Sequence, residues 1–195
     1  MTTDHDLDVA VIIASTRHGR FGPTVAAWFA ARAERRRDLQ IDVIDLAEAR
    51  LPEVLVEPDE PLPPQVAVVA PRLAGADAFV IVTPEYNRSF PAPLKTLIDW
   101  YSEQWQAKPV AFVSYGRESG GVHAVAQLWE IFTELHAVPL RTGVRLPCYW
   151  EQFAADGRWP RASSDCDAAA EATLDLLTWW ARALRDARRR QPYAA

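Results

Sequence analysis

Five short runs rich in Val, Ile, Ala and Phe recur along the chain, separated by longer stretches with helical periodicity. Runs of this kind are typical of strands buried on both faces, because a strand with one wet face alternates apolar with polar residues. They occupy residues 8–14, 41–46, 78–83, 109–115 and 138–146. Strands that alternate with helices predict a parallel sheet with helices packed on both faces.

The stretches between the runs have the spacing and the end signals of helices. Pro23 suits the first turn of one helix, a stripe through Val66 and Leu73 ends at Gly75, and residues 168–189 predict a long closing helix. Five β-α units fit a flavodoxin-like α/β fold, a three-layer arrangement around a five-stranded parallel sheet of order 2-1-3-4-5. No repeat or linker divides the sequence, so we expect residues 1–195 to form one domain.

The charge and the cysteine content exclude several classes of protein. The net charge is −5 without a basic stripe, which argues against a nucleic-acid partner. Cys148 and Cys166 lie in no CxxC pattern, so neither a metal site nor a disulfide framework is predicted. The acidic N-terminus lacks the features of a signal peptide, and no apolar run approaches the ~18 residues of a membrane span. We therefore expect a cytoplasmic protein with no membrane partner.

Three loops are predicted to meet beyond the carboxyl ends of the strands, where such sheets bind ligands. They follow the first, third and fourth runs and comprise residues 15–24, 84–91 and 116–122. The first, STRHGRFGPT, leads into a helix whose free N–H groups suit an anion. It lacks the GxGxxG and GxxxxGK[ST] patterns, so it predicts a site for a phosphate monoester; a helix cap beside two solvated arginines is the alternative.

The second and third loops have the composition of a rigid wall. Proline on both sides of Tyr86-Asn87 stiffens the second loop, which favours backbone N–H groups aimed at a flat heterocycle with Tyr86 stacked on it. The glycines of SYGRESGG let the backbone approach a ligand closely, although a plain strand-to-helix turn would also use a glycine pair. Lys95 and Asp99, one helical turn apart, are expected to pair with each other.

The three loops and their flanks contain three short motifs, which occur along the chain in this order: STR with Arg20, TPEYN with the LK and IDW that come after it, and KPV through SYG to SGG. With these motifs the sequence resembles the NADPH-dependent FMN reductase family, which is flavodoxin-like and includes quinone, chromate and azo-dye reductases. The resemblance runs from about Val9 to Val144, and the segment after Pro147 shows none. Relatives often have Gly at the positions of Ala14 and Arg117, which leaves the acceptor less determined than the flavin.

The resemblance implies an oxidoreductase that passes hydride from NADPH or NADH through bound FMN to a quinone, a flavin or a similar small acceptor. The chemistry takes place at N5 of the flavin, so no catalytic side chain is expected. The resemblance places the cofactor contacts at these positions of the three loops: Ser15, Thr16, Arg17, Arg20, Thr24, Val25, Pro84, Glu85, Tyr86, Asn87, Ser114, Tyr115, Gly116, Arg117 and Ser119.

Two other functions remain open at the level of sequence: an electron-carrier flavodoxin, and a tailoring enzyme that uses flavin on one dedicated metabolite. Carriers typically have an acidic rim, whereas Arg20, Arg88 and Arg117 fall on the three loops and suit an anionic nicotinamide cofactor. A homodimer or homotetramer is also expected, since Trp100, Tyr101 and Trp105 predict more aromatic surface than a monomer exposes. The family resemblance places a subunit interface in the same region. Trp129 is predicted to lie in the core.

Overall fold

The computed structural model describes residues 7–57, 59–156, 158–161 and 164–194; the acidic N-terminal residues 1–6 lie outside the described residues. Its strands all pair in parallel, in the order β2-β1-β3-β4-β5, with β6 also on β4. They are β1 (Leu7–Ile13), β2 (Leu39–Asp45), β3 (Ala78–Pro84), β4 (Pro109–Gly116), β5 (Val138–Pro139) and β6 (Val144–Pro147). The predicted parallel sheet of order 2-1-3-4-5 is confirmed.

The fifth strand differs from the prediction of one run over residues 138–146. Val138 pairs with Pro109 at the start of β4, and Val144 pairs with Val113 further along, so two short strands share one neighbour. The ladder breaks at residues 141–143, which are exposed. The physical reason is that Arg141-Thr142 is polar and the chain lies at the sheet edge, where these side chains reach water by leaving the ladder.

Helices cover both faces of the sheet and bury it. They are α1 (Gly22–Ala33), α2 (Leu46–Ala49), α3 (Pro64–Gly75), α4 (Ala92–Trp100), α5 (Val122–Glu134) and α6 (Ser164–Arg190). Alternate residues of β1 serve the two sides: Val11 joins the cluster formed with α1 and α6, and Ile12 joins the cluster formed with α3, α4 and α5. The three-layer flavodoxin-like arrangement is therefore confirmed. No helix in the described part of the chain has the length and apolarity to cross a membrane.

The aromatic residues after α4 lie differently from the prediction. Tyr101 and Trp105 are 2% and 0% exposed, and Trp100 is half-buried with its Nε1 donating to Pro52 O at 2.8 Å. The expected aromatic surface is therefore wrong, because these rings fill the chain's own core. The prediction that Trp129 lies in the core is also wrong, since this residue is 41% exposed. Burial raises the pKa of Tyr101 to about 12.

Candidate functional site

The three predicted loops meet at one crevice, at the carboxyl edge of the sheet. The crevice has a volume of about 400 Å³, within the range of roughly 300–1,000 Å³ that is typical of small-molecule pockets. An adjoining cavity of about 580 Å³ shares four of its walls: Arg17, Glu85, Tyr86 and Arg117. The strand order explains the convergence, because β1, β3 and β4 are neighbours in the sheet.

The first loop offers a row of donors beside the crevice, which its residues Arg17 and Gly19 line. The backbone N–H groups of residues 16–19 have no acceptor among the residues that the structure describes. Gly19 has a φ of +64°, a conformation that helps successive N–H groups to converge and that glycine adopts without steric cost. Arg20 N donates to Arg17 O at 3.2 Å and closes the turn. Such a concave run of N–H groups suits an anion.

Arg20 has a different setting from the solvated arginine of the helix-cap alternative. Its guanidinium forms a bidentate pair with Asp45 at the end of β2, with distances of 2.5 and 2.7 Å, and its Nη1 also donates to Ser15 O at 2.9 Å. The hydrogen bond to Asp45 raises the pKa of Arg20 further above its usual value. Arg20 therefore fixes the first loop to the neighbouring strand, and the carboxylate of Asp45 balances its charge.

Arg17 is the cation that the first loop leaves available. It is exposed, and its guanidinium carbon lies 5.2 Å from the ring centroid of Tyr86, in cation–π contact with the second loop. Within the described residues, Arg17 makes no ion pair with a carboxylate. Desolvation raises the pKa of the Tyr86 hydroxyl above its usual value.

The second loop contains a tight turn that proline holds at both ends. Tyr86 and Ser89 exchange backbone hydrogen bonds of 2.8 and 2.9 Å, while Asn87 and Arg88 between them have φ values of +50° and +66°. Two central residues with positive φ are what a type I′ turn requires, at a cost in strain for side chains other than glycine. Pro84 ends β3 just before this turn. The rigid geometry at Tyr86-Asn87 is thus built into the backbone.

Proline also starts the helix that follows the second loop. Pro91, with φ −63° and ψ 139°, stands just before α4, and Pro93 lies in its first turn. On the outer face of α4 the predicted pair is confirmed, since Lys95 Nζ lies 2.6 and 2.7 Å from the two carboxylate oxygens of Asp99. These two charges therefore balance each other on the helix surface and take no part in the crevice.

Glu85 joins the second loop to the third. Its backbone N–H donates to Tyr115 O at 2.9 Å, and its carboxylate accepts from Ser119 Oγ and from His123 N, both at 2.9 Å. The second contact places a negative charge at the N-terminus of α5, where it is stabilising. The side chain that the family resemblance assigns to a flavin contact is therefore engaged in holding two walls of the crevice together.

The third loop packs so closely that its backbone forms the wall. Gly120 and Gly121 have φ values of +60° and +96°, and Ser114 Oγ donates to Gly120 O at 2.8 Å. A Cβ on Gly121 would lie 2.5 Å from Ser114 Cβ, and one on Gly116 would lie 3.2 Å from Gly121 N. The glycines are required here by both conformation and space. Burial raises the pKa of the Tyr115 hydroxyl, which donates to Ser15 Oγ at 3.3 Å.

A fourth wall of aromatic rings was missed by the sequence analysis. Phe21 stacks on Tyr149 with centroids 4.4 Å apart and an interplanar angle of 23°, and Trp150 lines the crevice beside them. Tyr149 and Trp150 belong to a short 3-10 helix, Tyr149–Gln152, that follows β6. The available signal was three aromatic residues within CYWEQF, directly after the last predicted strand.

The predicted site residues divide into groups by their position. Eight line the crevice: Arg17, Arg20, Pro84, Glu85, Tyr86, Tyr115, Gly116 and Arg117. Two line only the adjoining cavity, Asn87 and Ser119, together with Arg88, which was expected to meet the nicotinamide cofactor, and with Glu118 and His123, which were not predicted as site residues. Ser15, Ser114 and Val25 are buried, Thr24 is exposed on the first turn of α1, and Thr16 lines a separate cavity against α2 and α4.

Comparisons with known proteins identify the family of this fold. The profile of the family described as NADPH-dependent FMN reductase matches residues 7–151. An NAD(P)H-dependent FMN reductase of Schizosaccharomyces pombe is 32% identical over 148 residues, which cover 71% of this chain and 73% of that protein. An NADPH:quinone oxidoreductase of Arabidopsis thaliana is 35% identical over 105 residues, which cover 51% of this chain and 54% of that protein.

A solved structure shares the fold over nearly the whole chain. FerB, a flavoenzyme NAD(P)H:(acceptor) oxidoreductase from Paracoccus denitrificans, superposes with a TM-score of 0.72 at 23% identity. The superposition covers 90% of this chain and 97% of the FerB chain. It therefore includes part of the chain beyond the residues that the sequence motifs cover.

Proposed function

The chain belongs to the NADPH-dependent FMN reductase family, and from this membership and the crevice we propose that it is an FMN-dependent NAD(P)H oxidoreductase of the quinone reductase type. It passes hydride from NAD(P)H through FMN to a quinone, a flavin or a similar small acceptor. One observation carries the proposal: within the described part of the chain, the N–H groups of residues 16–19 have no acceptor, and they stand with Arg17 beside a crevice that the rigid segment Pro84–Tyr86 also lines. That combination fits a phosphate joined to a flat ring.

The residues of this chain would hold FMN by its phosphate and by its ring. The N–H groups of residues 16–19 and the Arg17 guanidinium bind the phosphate, while Pro84, Tyr86 and the backbone at Gly116 orient the ring. When bound, FMN supplies the redox chemistry, accepting hydride from NAD(P)H and reducing the acceptor. The protein's part is to position the ring and to restrict water around it. No acid or base from the chain is required.

The adjoining cavity is suited to the nicotinamide cofactor. Arg17, Arg88, Arg117 and His123 surround it, and the Arg88 Nη2 lies 3.4 Å from His123 Nδ1. Of the two carboxylates there, Glu85 is engaged with Ser119 and His123 N. We propose that Arg88 or Arg117 meets the nicotinamide cofactor's phosphates, which favours NADPH over NADH. The same basic rim disfavours an electron carrier, which docks to partners through an acidic one.

The proposed activity predicts a spectral result. NADPH should bleach the bound FMN anaerobically at a rate that supports turnover, with NADH slower, and a quinone should restore the oxidised spectrum. Stopped-flow absorbance at the flavin band measures both halves. Very slow reduction by either nucleotide, together with fast reduction by a separate reductase protein, would establish a carrier instead. That outcome would leave the fold and the proposed flavin site standing.

We also propose that the protein is cytoplasmic and works as a homodimer or homotetramer. The support for the oligomer is the subunit interface that the family resemblance implies, together with two apolar side chains of α5, Val122 and Trp129, each 41% exposed. Light scattering at micromolar concentration should give at least twice the monomer mass. A monomer would contradict the proposal, and the Trp129→Glu variant should shift the mass towards it.

A further inference from the structure

The aromatic fourth wall is held in place by the backbone of the third loop. Cys148, with φ +43°, turns the chain back after β6, and its N–H donates to Arg117 O at 3.1 Å. Glu151 N donates to Cys148 O at 2.8 Å and closes the next turn. The position of the wall beside the crevice is therefore fixed by hydrogen bonds and does not depend on side-chain packing alone.

Tyr149 and Trp150, the two rings of this wall that follow β6, have different surroundings. Tyr149 is half-buried: it stacks on Phe21, and its ring centroid lies 5.2 Å from that of Tyr115. Its carbonyl oxygen accepts from Trp159 Nε1 at 3.1 Å. Trp150 contacts one ring in the described part of the chain, Tyr149 at 5.2 Å and 76°, and it is 45% exposed. A large indole thus lines the crevice with much of its surface uncovered.

We propose that Trp150 is a specificity-determining residue on the acceptor side of the crevice, and that it favours acceptors with planar fused rings, of naphthoquinone or anthraquinone size. This inference rests on the proposed function. The first loop and the wall at Pro84–Tyr86 already provide the contacts for the flavin, so the exposed indole of Trp150 is available to a second planar molecule. Aromatic rings gain from offset or edge contacts beyond the area they bury, and an acceptor with more rings offers more such contact.

The proposed reduction of the acceptor needs no reagent other than NAD(P)H, the quinone and a proton. One NAD(P)H and one proton reduce one quinone to its hydroquinone and leave NAD(P)⁺. Both quinone oxygens end as hydroxyls, one of the two protons coming from solvent. Trp150 forms no bond in this step; it orients the acceptor before the electrons pass.

Binding of anthraquinone-2-sulfonate to the oxidised, FMN-loaded protein tests the proposal without turnover. By calorimetry in the absence of NAD(P)H, Trp150→Ala should weaken this binding roughly three- to tenfold, and Trp150→Phe should retain most of it. The KM for menadione should rise similarly, whereas the KM for ferricyanide, which has no ring to stack, should not. Trp179→Ala is the matched control, because Trp179 is 62% exposed on α6.

The possible outcomes separate the inference from the function it rests on. Unchanged anthraquinone binding in Trp150→Ala would overturn the inference, and so would a loss of FMN affinity with unchanged acceptor binding, since the wall would then belong to the flavin. Failure of NAD(P)H to reduce the wild-type flavin would overturn the proposed function instead. The folding of each variant is checked by its FMN content and thermal unfolding.

Discussion

Replacement of Arg17 by Ala is expected to weaken FMN binding by roughly ten- to 150-fold, the factor that corresponds to one charge-assisted hydrogen bond of about 1.5–3 kcal/mol. Riboflavin lacks the phosphate, so its affinity should hardly change. Arg17 is exposed and its contact with Tyr86 is a single cation–π interaction, so the fold should keep its stability. Fluorescence titration with FMN, FAD and riboflavin measures the effect, and wild-type protein should prefer FMN.

Arg20 provides the control for this experiment, because it carries the same charge but is paired with Asp45. Arg20→Ala would leave the Asp45 carboxylate uncompensated beside the first loop and should also weaken FMN binding. If Arg20 acts through Asp45, the double variant Arg20→Ala/Asp45→Ala should recover much of the affinity. If Arg20 contacts the phosphate directly, the double variant should stay as weak as Arg20→Ala. Equal FMN affinity in wild type and Arg17→Ala would identify the loop as a plain helix cap.

The sheet was predictable from the sequence because its determinants are local. Strands such as β3 are buried on both faces and therefore consist of consecutive apolar residues, and parallel pairing follows from their alternation with helices. The break between β5 and β6 was not predictable from apolar runs. Leu140 and Val144 flank it and would fit one continuous strand, and only the edge position makes the polar residues between them leave the ladder.

The sequence predicts the location of the site better than it predicts the contacts between the side chains there. The carboxyl ends of neighbouring strands fix where the loops converge, but side-chain partners far apart in sequence carry no local signal. Arg20 meets Asp45, Glu85 meets Ser119, and Phe21 meets Tyr149 only in the folded chain. The first two pairings engage residues that the family pattern assigns to the ligand. The third pairing adds an aromatic wall that none of the sequence motifs predicts.

Gly121→Ala is expected to have the largest effect on the folded protein. At φ +96° an L side chain is strained, which costs about 1–2 kcal/mol. Its Cβ would also lie 2.5 Å from Ser114 Cβ and 2.8 Å from Ser114 Oγ, a clash between backbone-proximal atoms that adds about 1–3 kcal/mol. The free energy of unfolding in urea should therefore fall by about 2–5 kcal/mol, and FMN binding should be weakened or lost because the third loop shifts.

Substitutions at two other glycines separate the cost of backbone conformation from the cost of a steric clash. Gly75→Ala meets nothing within 4 Å at ordinary φ and should leave stability nearly unchanged. A Cβ on Gly19 also meets none of the described atoms within 4 Å, but the φ of Gly19 is +64°. Gly19→Ala should therefore carry only the conformational cost. This cost should appear mainly as weaker FMN binding, because Gly19 lies in the first loop. Ser114→Gly alone loses the hydrogen bond from Ser114 Oγ to Gly120 O, so it is the reference for the double variant Gly121→Ala/Ser114→Gly. In that background the clash with Ser114 is absent, and Gly121→Ala should cost less than it does in the wild type. Full stability of Gly121→Ala alone would mean that the third loop is not packed against β4 as described, and the rigid wall it provides would have to come from the second loop alone.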